Sequence, residues 1–275
     1  MKKKIKMIAL DMDGTVLTDD KRVTPYTKRI LEQAMEQGII VLACTGRPAS
    51  AIPEAFTELK GMQYAISSNG ARIVELKENR VIFEKLIDMH TTTDILNIVK
   101  KYDTYREVFW DGIGYTSKEM FSRVTNYLSE YMRGYIAETR VFVEDIEREV
   151  LKKNQECDKL HIAFSDMNER KRAIQDIRNY GAFELDAAMP MSIEITAPGI
   201  NKGTGIINLG ELLGITREEI MAAGDGMNDA SMLRAVGFPV AMGNAVPEIK
   251  ELAQYITASN NDEGVAKAIE KYVLN

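Results

Sequence analysis

The chain is 275 residues long, 45% apolar and 28% charged, with a formal net charge of −6. That length and balance describe a globular protein of one or two domains with a sizeable core, and the acidic surplus, with no basic stretch, argues against nucleic-acid binding. No apolar run approaches the roughly 20 residues of a membrane span, and the two cysteines, Cys44 and Cys157, lie outside any CxxC or histidine pairing, as reduced core thiols do. A cytoplasmic protein is expected.

In chain order, Ile5 to Leu10 is a short apolar run ending in Asp11, Asp13 and Gly14. It reads as a buried parallel strand, because a leader peptide would continue its apolar core further and would not close in carboxylates. Thr24 to Gln37 reads as a helix: Thr24 can cap it, Pro25 suits its first turn and Gly38 its exit. Ile39 to Cys44 is a second buried strand, Pro48 to Leu59 a helical stretch, and Tyr64 to Ser67 a third strand. Alternating strands and helices predict a parallel α/β sheet with right-handed crossovers. Arg72 to Leu76 and Arg80 to Glu84 then alternate as a hairpin. Thr91 to Tyr102 is helical, and Glu107 to Trp110 and Ile113 to Thr116 flank Asp111-Gly112, a strong hairpin turn. The helix and strand pattern continues to about Thr196, so residues 84–194 are expected to form an inserted domain.

The first pattern returns in the helix Gly203 to Leu213, the strand Glu219 to Ala223, the helix Asn228 to Val236, the strand Phe238 to Met242 and the helix Val265 to Tyr272. The expected fold is therefore α/β: a Rossmann-like, doubly wound parallel core built from residues 1–83 and 195–275, carrying an inserted α/β cap.

Four motifs fall at predicted strand or helix ends, where open α/β sheets bind ligands. In Asp11-Met12-Asp13-Gly14-Thr15 the two carboxylates sit at i and i+2 of an extended chain, roughly 7 Å apart on one side. One can attack while the other moves a proton. Thr45-Gly46-Arg47 joins a hydroxyl and a bare N–H to a helix start, which suits an anionic phosphate. Lys202 opens a helix in Asn201-Lys202-Gly203 and can neutralise phosphate charge. In Gly224-Asp225-Gly226-Met227-Asn228-Asp229 hard carboxylate oxygens suit Mg²⁺. Taken singly, each motif is also what a solvated turn, a helix cap or a surface lysine looks like. His90 and His161 have no ligand partners in sequence, and Trp110 and Tyr115 read as packing residues.

Together and in this order, DMDGT, ACTGRP, NKG and GDGMND resemble the four motifs of the haloacid dehalogenase superfamily. SSNGA, EITAPGINKG and ITASNNDEGVAKAIE are similar to its Cof-type branch, which carries a large α/β cap between the second and third motifs. The resemblance implies a phosphatase acting on a small phosphorylated metabolite, a sugar phosphate or a phosphorylated cofactor. It implies Asp11 as the nucleophile that forms an aspartyl-phosphate, and Asp13 as the acid that protonates the leaving oxygen and then activates water. It implies Mg²⁺ on the carboxylates of Asp11 and Asp225 and the carbonyl of Asp13, with Asp229 supporting it directly or through water. Thr45, Gly46, Lys202, Asn228 and the backbone at Met12 would hold the phosphate. Two other readings share these motifs: a phosphomutase, and a metabolite-binding regulator that has kept the fold without turnover.

Overall fold

The protein is described here by a computed structural model covering residues 4–187 and 189–275. The chain divides into two compact bodies, residues 1–84 with 201–275, and residues 85–200. The chain first enters β1 (Met7–Leu10), β2 (Ile40–Cys44), β3 (Tyr64–Ser67), β4 (Arg72–Glu75) and β5 (Arg80–Glu84). The second body holds β6 (Thr104–Trp110), β7 (Ile113–Ser117), β8 (Arg140–Val143), β9 (Lys159–Phe164), β10 (Glu184–Asp186) and β11 (Ser192–Thr196). Back in the first body come β12 (Ile220–Gly224), β13 (Phe238–Ala241) and β14 (Tyr255–Ile256).

The first body is an eight-stranded sheet in the order β14-β13-β12-β1-β2-β3-β4-β5. It is parallel from β14 to β3, and the β4–β5 hairpin adds antiparallel strands at one edge. β1 is central, and all four of its residues are buried, as a strand covered on both faces requires. The helix Pro25–Glu36 begins as its sequence suggests: the Thr24 hydroxyl accepts from the Thr27 N–H, and Pro25 fills the first turn.

Three expectations change. Pro48 to Leu59 is not one helix but a 3-10 turn at Ala49–Ala51 and a short helix at Glu54–Thr57. Pro53 separates them, because its ring disfavours helical backbone at Ile52 and it has no N–H to donate. The helix expected over Asn228 to Val236 starts as a 3-10 turn, Met227–Asp229, before Ala230–Ala235. The return to the first body falls at Ile200–Asn201, since a division at 194–195 would cut β11, where Ile195 pairs with Leu160 of β9 and with Leu185 of β10.

The second body is a six-stranded sheet, β10-β11-β9-β6-β7-β8, antiparallel except at β7–β8. The Asp111-Gly112 turn joins β6 to β7 with positive φ at both residues, as a two-residue hairpin demands. Trp110, the chain's one tryptophan, is buried edge-on against Tyr115. Glu107 is also buried here. It accepts from Arg140 Nε at 2.7 Å and faces His161 Nδ1 at 2.7 Å. Burial opposes its charge, but the Arg140 guanidinium and His161 hold its pKa down at about 2.

A carboxylate depressed in this way contributes stability above its unfolded pKa of about 4.3 and loses that contribution as pH falls towards its folded value. Arg140→Met, which strands Glu107, is therefore expected to cost about 3–5 kcal/mol near neutral pH. The deficit should narrow as pH drops below about 4. Urea titrations followed by Trp110 fluorescence measure this, and a deficit independent of pH would contradict it.

Candidate active site

The pairing of β1 with β12 and β2 sets the site, because these strands end at the same edge of the sheet and bring their outgoing loops to one place. The Asp11 N–H donates to Ala223 O at 3.1 Å, extending the ladder by one residue. Asp11 thus leaves β1 next to Gly224-Asp225 at the end of β12. Every residue of the site lies in the first body.

After Asp11 the chain turns sharply. The N–H groups of Thr15 and Leu17 both donate to Met12 O, and Gly14 has φ +79. Gly14 is required by space as well as by conformation: a Cβ there would fall 2.4 Å from the Asp225 carboxylate. The Thr15 hydroxyl donates to Asp225 Oδ1 at 2.8 Å and orients it.

Lys202 is the first residue of the helix Lys202–Leu213, whose start is fixed by a capping box between Asn201 and Thr204. It is fully buried, so it is not a surface lysine. Its Nζ donates to Asp11 Oδ1 at 2.6 Å and to Asp229 Oδ1 at 2.7 Å. Burial alone would favour the neutral amine, but the two carboxylates raise the Lys202 pKa well above its ordinary value, so it remains an ammonium. The other oxygen of Asp229 accepts from the N–H groups of Asp225 and Gly226, at 2.9 and 3.1 Å. Asp229 therefore ties the loop after β12 to Lys202.

Asp11, Asp225 and Asp229 each offer an oxygen within 4.8 Å of the others. With one lysine among three carboxyl groups, the cluster has a surplus of acidic groups. Burial first, then the Asp229 charge, lifts the Asp11 pKa to about 8 against the pull of Lys202. Burial and Asp229 likewise raise Asp225 to about 6. A hard-oxygen cluster with that surplus fits a divalent cation.

Asp13 points to a different set of partners. Arg47 grips both of its oxygens, Nε on Oδ2 at 2.7 Å and Nη2 on Oδ1 at 2.8 Å, while Lys21 Nζ reaches Oδ1 at 2.7 Å. Burial works against its charge, but these cations bring the Asp13 pKa down to about 2. Arg47 is steadied in turn by Nη1 on Ala51 O. Thr45 is buried at the end of β2, and its hydroxyl accepts from the Arg47 N–H at 3.1 Å. Gly46 lies between them. Asn228 is half-buried on the 3-10 turn Met227–Asp229. Met12 is fully buried and its side chain packs in the core.

The sequence reading missed Arg47, Lys21 and Thr15 as site residues. Arg47 stands inside the Thr-Gly-Arg motif, and that position was the available signal. Nothing in Asp19-Asp20-Lys21-Arg22 separates Lys21 from an ordinary surface lysine.

The sequence profile of the haloacid dehalogenase-like hydrolases matches residues 8–269. A 5-amino-6-(5-phospho-D-ribitylamino)uracil phosphatase of Bacillus subtilis is 31% identical, with 98% of this chain and 96% of that protein aligned. An HMP-PP phosphatase of Serratia proteamaculans is 27% identical over 96% of this chain and 93% of its own length. Among solved structures, a haloacid dehalogenase-like hydrolase from B. subtilis superposes with a TM-score of 0.84 at 27% identity, covering 97% of this chain and 99% of that one.

Proposed function

This chain belongs to the haloacid dehalogenase-like hydrolases, and from that premise we propose that it is a Mg²⁺-dependent phosphatase of small phosphorylated metabolites that works through an aspartyl-phosphate on Asp11. The observation that carries the proposal is the meeting of Asp11 with Lys202, Asp229 and Asp225 at the ends of β1 and β12.

Asp11 attacks phosphorus. A bond forms from its carboxylate oxygen to phosphorus as the bond to the leaving oxygen breaks, and Asp13 gives that oxygen a proton. Asp13 then takes a proton from water, the water oxygen attacks phosphorus, and inorganic phosphate leaves with Asp11 restored. Arg47 and Lys21 keep Asp13 a carboxylate, which suits the water-activating half. The proton-donating half requires at least one of these pairs to open. Lys202 balances charge on the nucleophile and on the transferred oxygens. Thr45, whose hydroxyl accepts from Arg47, has its own O–H to offer to phosphate, alongside the N–H groups of Gly46 and Met12 and the side chain of Asn228.

The carboxylates of Asp11 and Asp225 and the carbonyl of Asp13 are the proposed Mg²⁺ donors. Asp229 adds charge and holds Asp225 and Lys202 in place, since its oxygens are already engaged. Bound there, Mg²⁺ would supply Lewis acidity and offset repulsion between the substrate dianion and Asp11.

The named relatives are phosphatases of two different small phosphorylated compounds, which supports the small-metabolite class and leaves the choice within it to experiment. Release of inorganic phosphate from a panel of sugar phosphates and phosphorylated cofactors is the test. Turnover is expected with Mg²⁺ and is expected to disappear in excess chelator. Undiminished turnover in chelator defeats the metal assignment; absence of phosphate release across the panel defeats the phosphatase reading.

A further inference from the structure

The segment Ser67-Ser68-Asn69-Gly70 follows β3 and takes no part in the chemistry above. Its backbone is out of the ordinary. Ser68 has φ +49, Asn69 φ +55 and Gly70 φ +98, three successive residues in the left-handed region. Residues other than glycine stay in that region only where their surroundings hold them there. All three are buried.

The surroundings are two motifs of the site. On one side, the Ser68 N–H donates to Arg47 O at 3.0 Å and the Asn69 N–H to Thr45 O at 3.1 Å. On the other, Gly70 lies against the start of the helix Lys202–Leu213. A Cβ on Gly70 would fall 2.3 Å from Asn201 O, and one on Gly205 would fall 3.1 Å from Gly70 Cα. The turn is therefore wedged between the residues that carry Thr45 and those that carry Lys202.

The wedge answers a geometric need. Asp11, Thr45 and Asp225 each follow a strand, so ladder hydrogen bonds fix their places in the sheet. Lys202 has no strand of that sheet directly before it, because the chain returns from the second body at Asn201. Its distance from the end of β2 must come from packing.

We propose that the Ser68-Asn69-Gly70 turn is a positioning element that sets the span between Thr45 and Lys202, and so the width of the phosphate site. The proposal rests on the assignment of Thr45 and Lys202 to phosphate. It gives the left-handed run a purpose, since only a tightly coiled backbone places two N–H groups on one motif while a bare Cα meets the next.

Gly70→Ala drives a methyl group into Asn201 O. Gly38→Ala is its control: Gly38 also has positive φ, +81, but a Cβ there meets nothing within 4 Å. Both substitutions impose left-handed strain, and Gly70→Ala adds the clash with Asn201, so both are expected to lower the melting temperature and Gly70→Ala the more. Affinity for inorganic phosphate in the presence of Mg²⁺, measured by calorimetry, separates them. Gly70→Ala is expected to lose about tenfold or more, in line with the sensitivity of such sites to displacements near 1 Å, while Gly38→Ala binds as the unaltered protein does. Should Gly70→Ala not fold, Gly205→Ala presses on the turn from the helix side, 2.8 Å from Ile66 and without positive φ, and is expected to show the same loss.

Equal phosphate affinity in the Gly70 or Gly205 variant and the Gly38 variant overturns the proposal. If the unaltered protein does not bind phosphate at all, the functional reading falls separately. A crystal structure of Gly70→Ala still decides this point: Lys202 Nζ displaced from Asp11 and Asp229 supports the wedge, and an unmoved Nζ overturns it.

Discussion

Asp11→Asn is expected to reduce kcat by on the order of 10³–10⁶-fold while leaving the protein at least as stable as before. The size of the loss follows from removing the proposed attacking atom, since nucleophile deletions in covalent hydrolases cost on this order. The stability side follows from the crowding of the site. Asp11 is buried beside Asp229, and its pKa stands near 8 in the metal-free protein. A carboxyl whose pKa is raised on folding contributes stability below its unfolded pKa, and that contribution is lost as pH rises towards the folded value. Near neutral pH the folded protein must therefore hold Asp11 protonated where the unfolded chain would ionise it, a cost that an amide of the same shape removes. Lys202 keeps a partner in Asp229, so no buried charge is stranded. Thermal melts in chelator should show Asp11→Asn melting at or above the temperature of the unaltered protein. Acid quenching during turnover should trap a phosphorylated protein from the original sequence and none from the variant. Turnover within about tenfold of the original would remove Asp11 from the mechanism whatever the melts show.

The difference between what the sequence discloses and what it hides lies in how each feature is encoded. β3 occupies Tyr64–Ser67 as expected, and β1 and β2 differ from their predicted bounds by two residues or fewer at each end, because a strand covered on both faces writes itself as an uninterrupted apolar run. Local chemistry was equally legible. Thr24, Pro25 and Gly38 mark the helix between them, and positive φ at Asp111 and Gly112 is what an Asp-Gly hairpin requires. The short strand β14 left no such mark: it is two residues long, and its pairing with β13 depends on the sheet already being there.

In the site, the sequence shows which side chains stand at strand ends but not how their charges pair. Lys202 and Asp11 are 191 positions apart, and only the fold reveals that they share a hydrogen bond. Asp13 and Asp11 look like twins two residues apart, yet the fold gives them opposite electrostatics. Asp11 is crowded by carboxylates, and Asp13 is held by two cations from different loops. That division suits a nucleophile next to a metal site and a separate proton carrier, and it arises from packing that no spacing rule contains.

Lys202→Met carries the second large effect, and it is expected to damage stability and turnover together. Methionine fills a similar volume but leaves the crowded carboxyl groups of Asp11, Asp225 and Asp229 with no buried cation among them. Breaking a buried pair by deleting one partner costs about 3–5 kcal/mol, and losing one preorganised charge at the reacting oxygens costs on the order of 10²–10³-fold in kcat. Two further measurements separate this account from a simple packing defect. Saturating Mg²⁺ should restore part of the lost stability, because a cation bound among the carboxylates offsets the same surplus that Lys202 offset. Pairing Lys202→Met with Asp229→Asn should also recover stability relative to Lys202→Met alone, since it removes one of the stranded charges, and the shortfall from additivity gives their coupling. Turnover should not recover in that double variant, because Asp229 also fixes the loop that carries Asp225 through the N–H groups of Asp225 and Gly226. If Mg²⁺ and the second substitution both leave the melting temperature where Lys202→Met put it, charge balance is not what the buried lysine provides.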